Sequence, residues 1–173
     1  REFGTVLIDM GGGQTSASVM HDNQLKFSFV DQEGGDFVSK DISIILNASF
    51  ENAERIKREY GYAISSETSA DEFFPVETIG KKDPVKVDEH YLSEIIEARV
   101  VQTFETVKRA LDQVEALKLP GGIVLTGGGA MLRHLAEMIS KETQVPAFVA
   151  NDPLDCVALG TGAILANPSL MKK

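Results

Sequence analysis

The sequence predicts an α/β fold: one sheet layer with helices, carrying a smaller α+β unit as an insertion. Three observations predict it. Three short β-like runs open the chain, the last third alternates strand, helix, strand, helix, and residues 62–88 change to Ser, Thr, Asp, Pro and Gly around short β-like pieces. A chain of 173 residues that is 43% hydrophobic is long enough for one domain core, or for one domain with a small inserted subdomain.

In order along the chain, the β-like runs are Thr5 to Asp9, Thr15 to Met20 and Leu25 to Val30, separated by Gly11-Gly12-Gly13 and by His21-Asp22-Asn23. Such spacing describes an antiparallel meander. Asp36 to Leu46 places Phe37, Ile42, Ile45 and Leu46 near helical spacing, and Phe50 to Tyr60 is a charged helix stopped by Gly61. Phe73 to Ile79 and Val85 to Val87 are the β-like pieces of the insertion. From Asp88 to Leu117 an apolar stripe through Leu92, Ile96, Val100, Phe104, Val107 and Leu111 predicts one long helix. The last third reads strand Ile123 to Leu125, glycines, helix Met131 to Lys141, strand Ala147 to Val149 and helix Asp155 to Leu165. Three antiparallel strands followed by helix-linked strands describe a ribonuclease H-like layer.

The bulk properties remove several functions. With 26 Asp and Glu against 17 Lys and Arg, the net charge is −9, and a polyanion needs clustered cations to displace its counterions. No nucleic acid is expected as a partner. A single cysteine, Cys156, allows no internal disulfide, no His/Cys cluster suggests a metal site, and a reducing cytoplasm is the expected setting. No stretch has the length of about 18 to 20 apolar residues that a bilayer requires, and the first residues given do not follow the basic, then apolar, then small-residue pattern of a signal. The first strand begins near Thr5, as in a piece of something longer.

Two loops carry the chemistry. In Ile8-Asp9-Met10-Gly11-Gly12-Gly13-Gln14-Thr15 an apolar strand delivers one carboxylate to its end, and three glycines leave the backbone N–H groups free to approach a phosphate. Asp9 is placed to hold Mg²⁺ through water, and the Thr15 hydroxyl to donate to a phosphate oxygen. Without a Lys-Ser/Thr pair, and with the glycines leading into a strand, this is not a Walker loop. The second loop, Leu125-Thr126-Gly127-Gly128-Gly129-Ala130, joins a strand to a helix and leaves room for a flat group such as adenosine. Each loop alone also reads as a plain tight turn; two of different type in one layer are more specific.

Glu54 and Arg58 are i,i+4 partners on the short charged helix, either a solvated face or, with Lys57, the frame of a purine. The small residues of Asp155 to Ala163 suit a hinge to a partner unit or a helix packed on its own sheet. His21, His90 and His134 lie in unrelated contexts, and no Ser–His–Asp or Cys–His set is suggested.

The two glycine loops resemble the second phosphate loop and the adenosine loop of the actin, Hsp70 and sugar-kinase superfamily. Gly34-Gly35-Asp36-Phe37-Val38-Ser39-Lys40-Asp41-Ile42-Ser43, Ala53-Glu54-Arg55-Ile56-Lys57 and Glu94-Ile95-Ile96-Glu97-Ala98-Arg99 resemble FtsA of Gram-positive bacteria, over about residues 4–126. Gly129-Ala130-Met131-Leu132-Arg133 and the run from Val149 to Gly162 resemble MreB, the rod-shape actin homologue, over about residues 127–167. A mosaic of this kind fits a chimera, a design or a divergent natural protein.

The resemblance implies the second half of an actin-like ATPase fold: residues 1–35 and 101–168 as the ribonuclease H-like subdomain, 36–100 as the smaller inserted one, and 169–173 as a tail. It implies ATP and Mg²⁺ as cofactors, with Gly11, Gly12, Gly13, Gln14 and Thr15 on the phosphates, Asp9 at the metal, and Gly127, Gly128, Gly129, Met131, Glu54 and Lys57 around adenosine. The family's water-activating group belongs to the first half, which this chain lacks, so little ATPase activity is expected of it alone. The implied partners are the C-terminal peptide of FtsZ, the tubulin-like ring protein, with Arg99 as the contact, further copies in actin-like assembly, and the missing first half. The implied place is the cytoplasm, at the inner face of the cell membrane, without direct membrane contact by this chain. An MreB-like filament subunit, a sugar or acetate kinase, and an inactive design are the rivals.

Overall fold

The computed structural model describes residues 4–22 and 24–166, so the expected tail 169–173 lies outside the described residues. Its main strands are β1 (Thr5–Met10), β2 (Thr15–His21) and β3 (Gln24–Asp31). Then come helices α1 (Gly35–Ile45) and α2 (Phe50–Tyr60), a hairpin of β4 (Phe73–Val76) and β5 (Val85–Asp88), and the long helix α3 (Glu89–Asp112). Strand β6 (Ile123–Thr126), helix α4 (Leu135–Thr143), strand β7 (Ala147–Val149) and helix α5 (Cys156–Ala166) complete the order.

The main sheet runs β3-β2-β1-β6-β7. β1, β2 and β3 form the expected antiparallel meander, while β6 lies parallel to β1 and β7 parallel to β6. Parallel neighbours need crossovers, which the α1–α3 segment and α4 supply. Period-two alternation sets the faces of the sheet. Val6, Ile8 and Met10 of β1 are buried, whereas Leu7 between them is half exposed.

The inserted elements share the core of the sheet layer. Phe74 and Val76 of β4, Ile56 of α2 and Leu92, Ile96, Val100 and Leu111 of α3 all join the hydrophobic cluster that holds Val6, Ile8 and Leu125. Asp88 caps α3 by accepting from the Tyr91 amide at 2.7 Å. The expected boundary between residues 100 and 101 falls inside this continuous helix. It ends at Asp112 rather than near Leu117, because Glu115 turns left-handed (φ 53°).

Near the end of the chain one expectation is corrected and one of two open readings falls away. The helix expected from Met131 is a 3₁₀ turn over Gly128–Met131, and α4 starts only at Leu135, after His134 at φ 60°. Helix α5 is not packed on its own sheet: Val157, Leu159 and Leu165 are 66%, 62% and 76% exposed. A helix that carries no charged side chain and is apolar all round is ordinarily buried.

Candidate functional site

A cavity of about 410 Å³ opens where the two glycine loops meet α1 and α2, a size within the usual range for small-molecule sites. Gly11 and Gly12 form one side and Gly128 and Gly129 another. Glu54, Lys57 and Arg58 of α2 make a polar wall, Gly35 and Asp36 a corner at the start of α1, and Met131, Leu132, Arg133 and Leu154 an apolar rim with one cation. Leu154 is brought in because the Gly127 amide donates to Pro153 O at 2.9 Å.

Backbone contacts lock the corner onto the first loop. The Gly35 amide donates to Gly11 O at 2.9 Å and the Asp36 amide to Gly12 O at 2.8 Å. A Cβ on Gly34 would lie 2.5 Å from Gly12 O and 2.6 Å from both Gln14 N and Gly11 O, so no side chain fits there. At Gly127, a φ of +83° and the approach of the Asp9 carboxylate and Met10 O impose the same requirement.

The polar wall is a preformed charge network. Glu54 accepts from Lys57 Nζ at 2.6 Å, from Arg58 Nε at 2.8 Å and from the Ser39 hydroxyl, and Lys57 also donates to Gly35 O at 2.9 Å. Burial on its own raises the Glu54 carboxyl, but the hydrogen bonds from Lys57 and Ser39, the Lys57 charge and the Arg58 bond outweigh it and lower the pKa to about 2. A depressed carboxylate contributes stability above its unfolded pKa and loses it as pH falls through the folded value. Acid titration of the folded protein is therefore expected to lose this contribution between about pH 4.5 and about pH 2. Glu54→Gln lacks that component, and urea unfolding of both proteins across the interval measures the difference.

Of the residues expected in a nucleotide site, Gly11, Gly12, Gly128, Gly129, Met131, Glu54 and Lys57 line the cavity together. Gly13 faces open space, Gln14 uses its carbonyl to hold the Gly11 amide, and Asp9 and Gly127 sit against each other where the two loops touch. Thr15 is corrected. It is fully buried and its hydroxyl donates to Glu33 O at 2.7 Å, so that hydroxyl props the loop and is not free for a phosphate. Arg58, read from the sequence as solvated or as part of a purine frame, also lines the cavity, and Asp36 and Arg133 are lining residues to which the sequence reading gave no role. Asp36 adjoins the Gly34-Gly35 pair, and that adjacency was the available signal. Arg133 lies over the Tyr62 ring at 5.0 Å, a pairing only the fold creates.

Arg99 lies away from the cavity. Its Nε and Nη2 fork onto Asp41 of α1 at 2.5 and 3.1 Å, and Nη1 reaches Glu33 at 3.3 Å. The two carboxylates nearest it along its own helix are engaged elsewhere, since Glu97 accepts from the Ser65 amide and Glu94 faces His90.

Among the described residues no group of three His, Cys, Asp or Glu side chains is arranged to hold a metal. Mg²⁺ bound beside phosphates keeps several waters and needs only one or two carboxylates, and the carboxylate that β1 brings to its end, Asp9, lies against Gly127. None of the described helices is long and apolar enough to cross a membrane.

The family model described as cell division protein FtsA matches residues 6–171. The chain belongs to the FtsA family. It is 62% identical over 138 residues to cell division protein FtsA of Enterococcus hirae, covering 80% of this chain and 31% of that protein. It is also 34% identical over 178 residues to the cell shape-determining protein MreB of Pasteurella multocida, covering 94% of this chain and 50% of that protein. The FtsA match runs on through the segment that resembles MreB, and the expectation of a chimera or design is not borne out. This FtsA-family chain spans about a third of the length of the FtsA relatives it matches. Its fold is that of MreB5 of Spiroplasma citri, solved bound to ADP, with a TM-score of 0.82 at 19% identity over 99% of this chain and 56% of that one. The architecture is thus actin-like, as expected, in a member of a cell-division family.

Proposed function

We propose that this chain is the ATP- and Mg²⁺-binding half of an actin-like division protein that receives the C-terminal peptide of FtsZ and assembles with its own kind, in the cytoplasm at the inner face of the cell membrane. The observation that carries the reading is the convergence of both glycine loops and the Glu54–Lys57 wall on one cavity. Gly12 and Gly13 offer backbone donors to the phosphates, the Gly11 amide being taken by Gln14 O, Asp9 a carboxylate to the metal, and Gly128, Gly129 and Met131 a surface for adenosine. The ADP carried by the MreB5 relative supports nucleotide as the ligand.

Hydrolysis is assigned elsewhere. Among the described residues Glu54 is held by three donors and so is a poor base, and the in-line attack needs its own organiser. The exposed apolar helix α5 and the half-exposed Phe148 of β7 support a second unit that covers them and closes the cavity. In this reading residues 1–35 and 101–168 form the nucleotide subdomain and 36–100 the partner-binding one, with Arg99 as the contact for a peptide carboxylate. That carboxylate takes the guanidinium in exchange for Asp41 or Glu33.

Fluorescence anisotropy of a labelled FtsZ C-terminal peptide, titrated with this chain and with Arg99→Gln, tests the adaptor role. The expected result is saturable binding weakened about tenfold or more in a variant with an unchanged circular dichroism spectrum, because a bidentate arginine–carboxylate pair is lost. Absence of binding by the folded wild-type chain contradicts the role. Glutamine is the better substitution here, since Glu at this position would set a third negative charge against Asp41 and Glu33.

A further inference from the structure

Arg99 does more inside the molecule than its place on a helix surface requires. Only 18% of its side chain is exposed, and its guanidinium joins three segments: α3, the Asp41 face of α1, and Glu33 in the loop that precedes α1. Paired carboxylates hold the guanidinium charged, with Asp41 the larger influence. Thr103, one turn further along α3, approaches the same Glu33 oxygen.

Glu33 is also the residue whose main-chain carbonyl takes the buried Thr15 hydroxyl. Immediately after it come Gly34, packed with no space against Gly11 and Gly12, and the Gly35 and Asp36 amides that donate to Gly11 O and Gly12 O. The side chain of Glu33 is tied to α3 while its backbone is tied to the glycine loop. A displacement of Glu33 therefore moves the corner that shapes the loop. Arg99 lines no part of the cavity, so any effect on a ligand passes through Glu33.

We propose that Arg99 is a positioning residue for the phosphate-side loop, holding the Glu33–Asp36 corner against Gly11 and Gly12. The inference rests on the nucleotide reading of the cavity. A flat fork can hold Asp41 with two bonds and Glu33 with a third; a lysine ammonium keeps the charge but not that geometry. Loss of the fork leaves α1 packed through Val38 and Ile42 and frees the loop ahead of it.

Amide hydrogen exchange on the ligand-free chain tests this directly. In Arg99→Gln, exchange at Gly35 and Asp36 is expected to quicken on the order of tenfold or more, the weight of a hydrogen bond to a charged group, while Ile8 and Leu125 keep their rates. Arg99→Lys restores part of the protection, which a merely space-filling role would not separate from glutamine. Should Arg99→Gln unfold, Glu33→Gln must produce the same local change. Unchanged corner exchange, or equal quickening at Ile8 and Leu125, overturns the proposal. Titration with Mg·ATP separates the two readings. Weaker binding in Arg99→Gln supports the positioning role, and local release with unchanged affinity overturns it. A folded wild-type chain that binds no Mg·ATP overturns the nucleotide reading alone, and the exchange comparison then decides whether Arg99 holds the loop.

Discussion

Gly34→Ala is expected to destabilise the protein by about 3 kcal/mol and to abolish whatever the cavity binds. The Cβ would meet Gly12 O, Gln14 N and Gly11 O at 2.5 to 2.6 Å. All three are backbone atoms of a loop pinned at both ends, so rotamer changes give no relief. The φ of Gly34 is −137°, an extended value open to any residue, which makes the effect steric and not conformational. Gly13→Ala is the control: nothing lies within 4 Å of its Cβ position, and the change is expected to leave stability within about 0.5 kcal/mol. Urea unfolding midpoints of the two variants separate a loop that merely contains glycines from one built around a single close approach.

Ile96→Ala is expected to cost about 2 to 5 kcal/mol, the range for truncating a large buried aliphatic side chain. Ile96 is fully buried in α3, in the cluster that joins the inserted elements to the main sheet. Its Cδ1 lies 2.8 Å from where a Cβ on Gly61 would sit, and Gly61 lines the cavity. The void therefore opens behind the α2 wall. Because the core is one cluster, thermal unfolding of the variant is expected to remain a single transition at lower temperature, monitored at two wavelengths. Ile44→Ala, at 68% exposure, is expected to change little.

The parts of this fold legible in the sequence are those set by local chemistry. Alternation marks β1 to β3, Gly61 marks the end of α2, and the stripe from Leu92 to Leu111 marks α3. What the sequence concealed depends on distant contacts. His134 takes a left-handed conformation where its ring stacks on Tyr62 at 5.5 Å, and Tyr62 bridges to Arg133. That junction replaces the first turn of the helix expected from Met131. The exposure of α5 was equally hidden, since an uncharged helix carries the same signature whether its own sheet or another unit covers it.

The candidate site divides the same way. Gly11, Gly12, Gly128 and Gly129 were candidates because two glycine loops of different type in one layer are more specific than either alone, and Glu54 and Lys57 because they share a helix face. Asp41 and Glu33 as the partners of Arg99 stand 58 and 66 residues away, beyond any rule of spacing along a helix. The burial of Thr15 was likewise invisible, because a hydroxyl beside a glycine loop suits a phosphate and a backbone carbonyl equally well.

Titration of the isotopically labelled chain with Mg·ATP, followed by backbone amide chemical shifts, tests the central claim most directly. The account predicts weak but saturable binding, because this chain supplies one side of the site, with the largest shifts at Gly11, Gly12, Gly128 and Gly129 and along Glu54 to Arg58. Saturable shifts confined to α5 and β7, or no shifts at these glycines at saturating nucleotide, would contradict it.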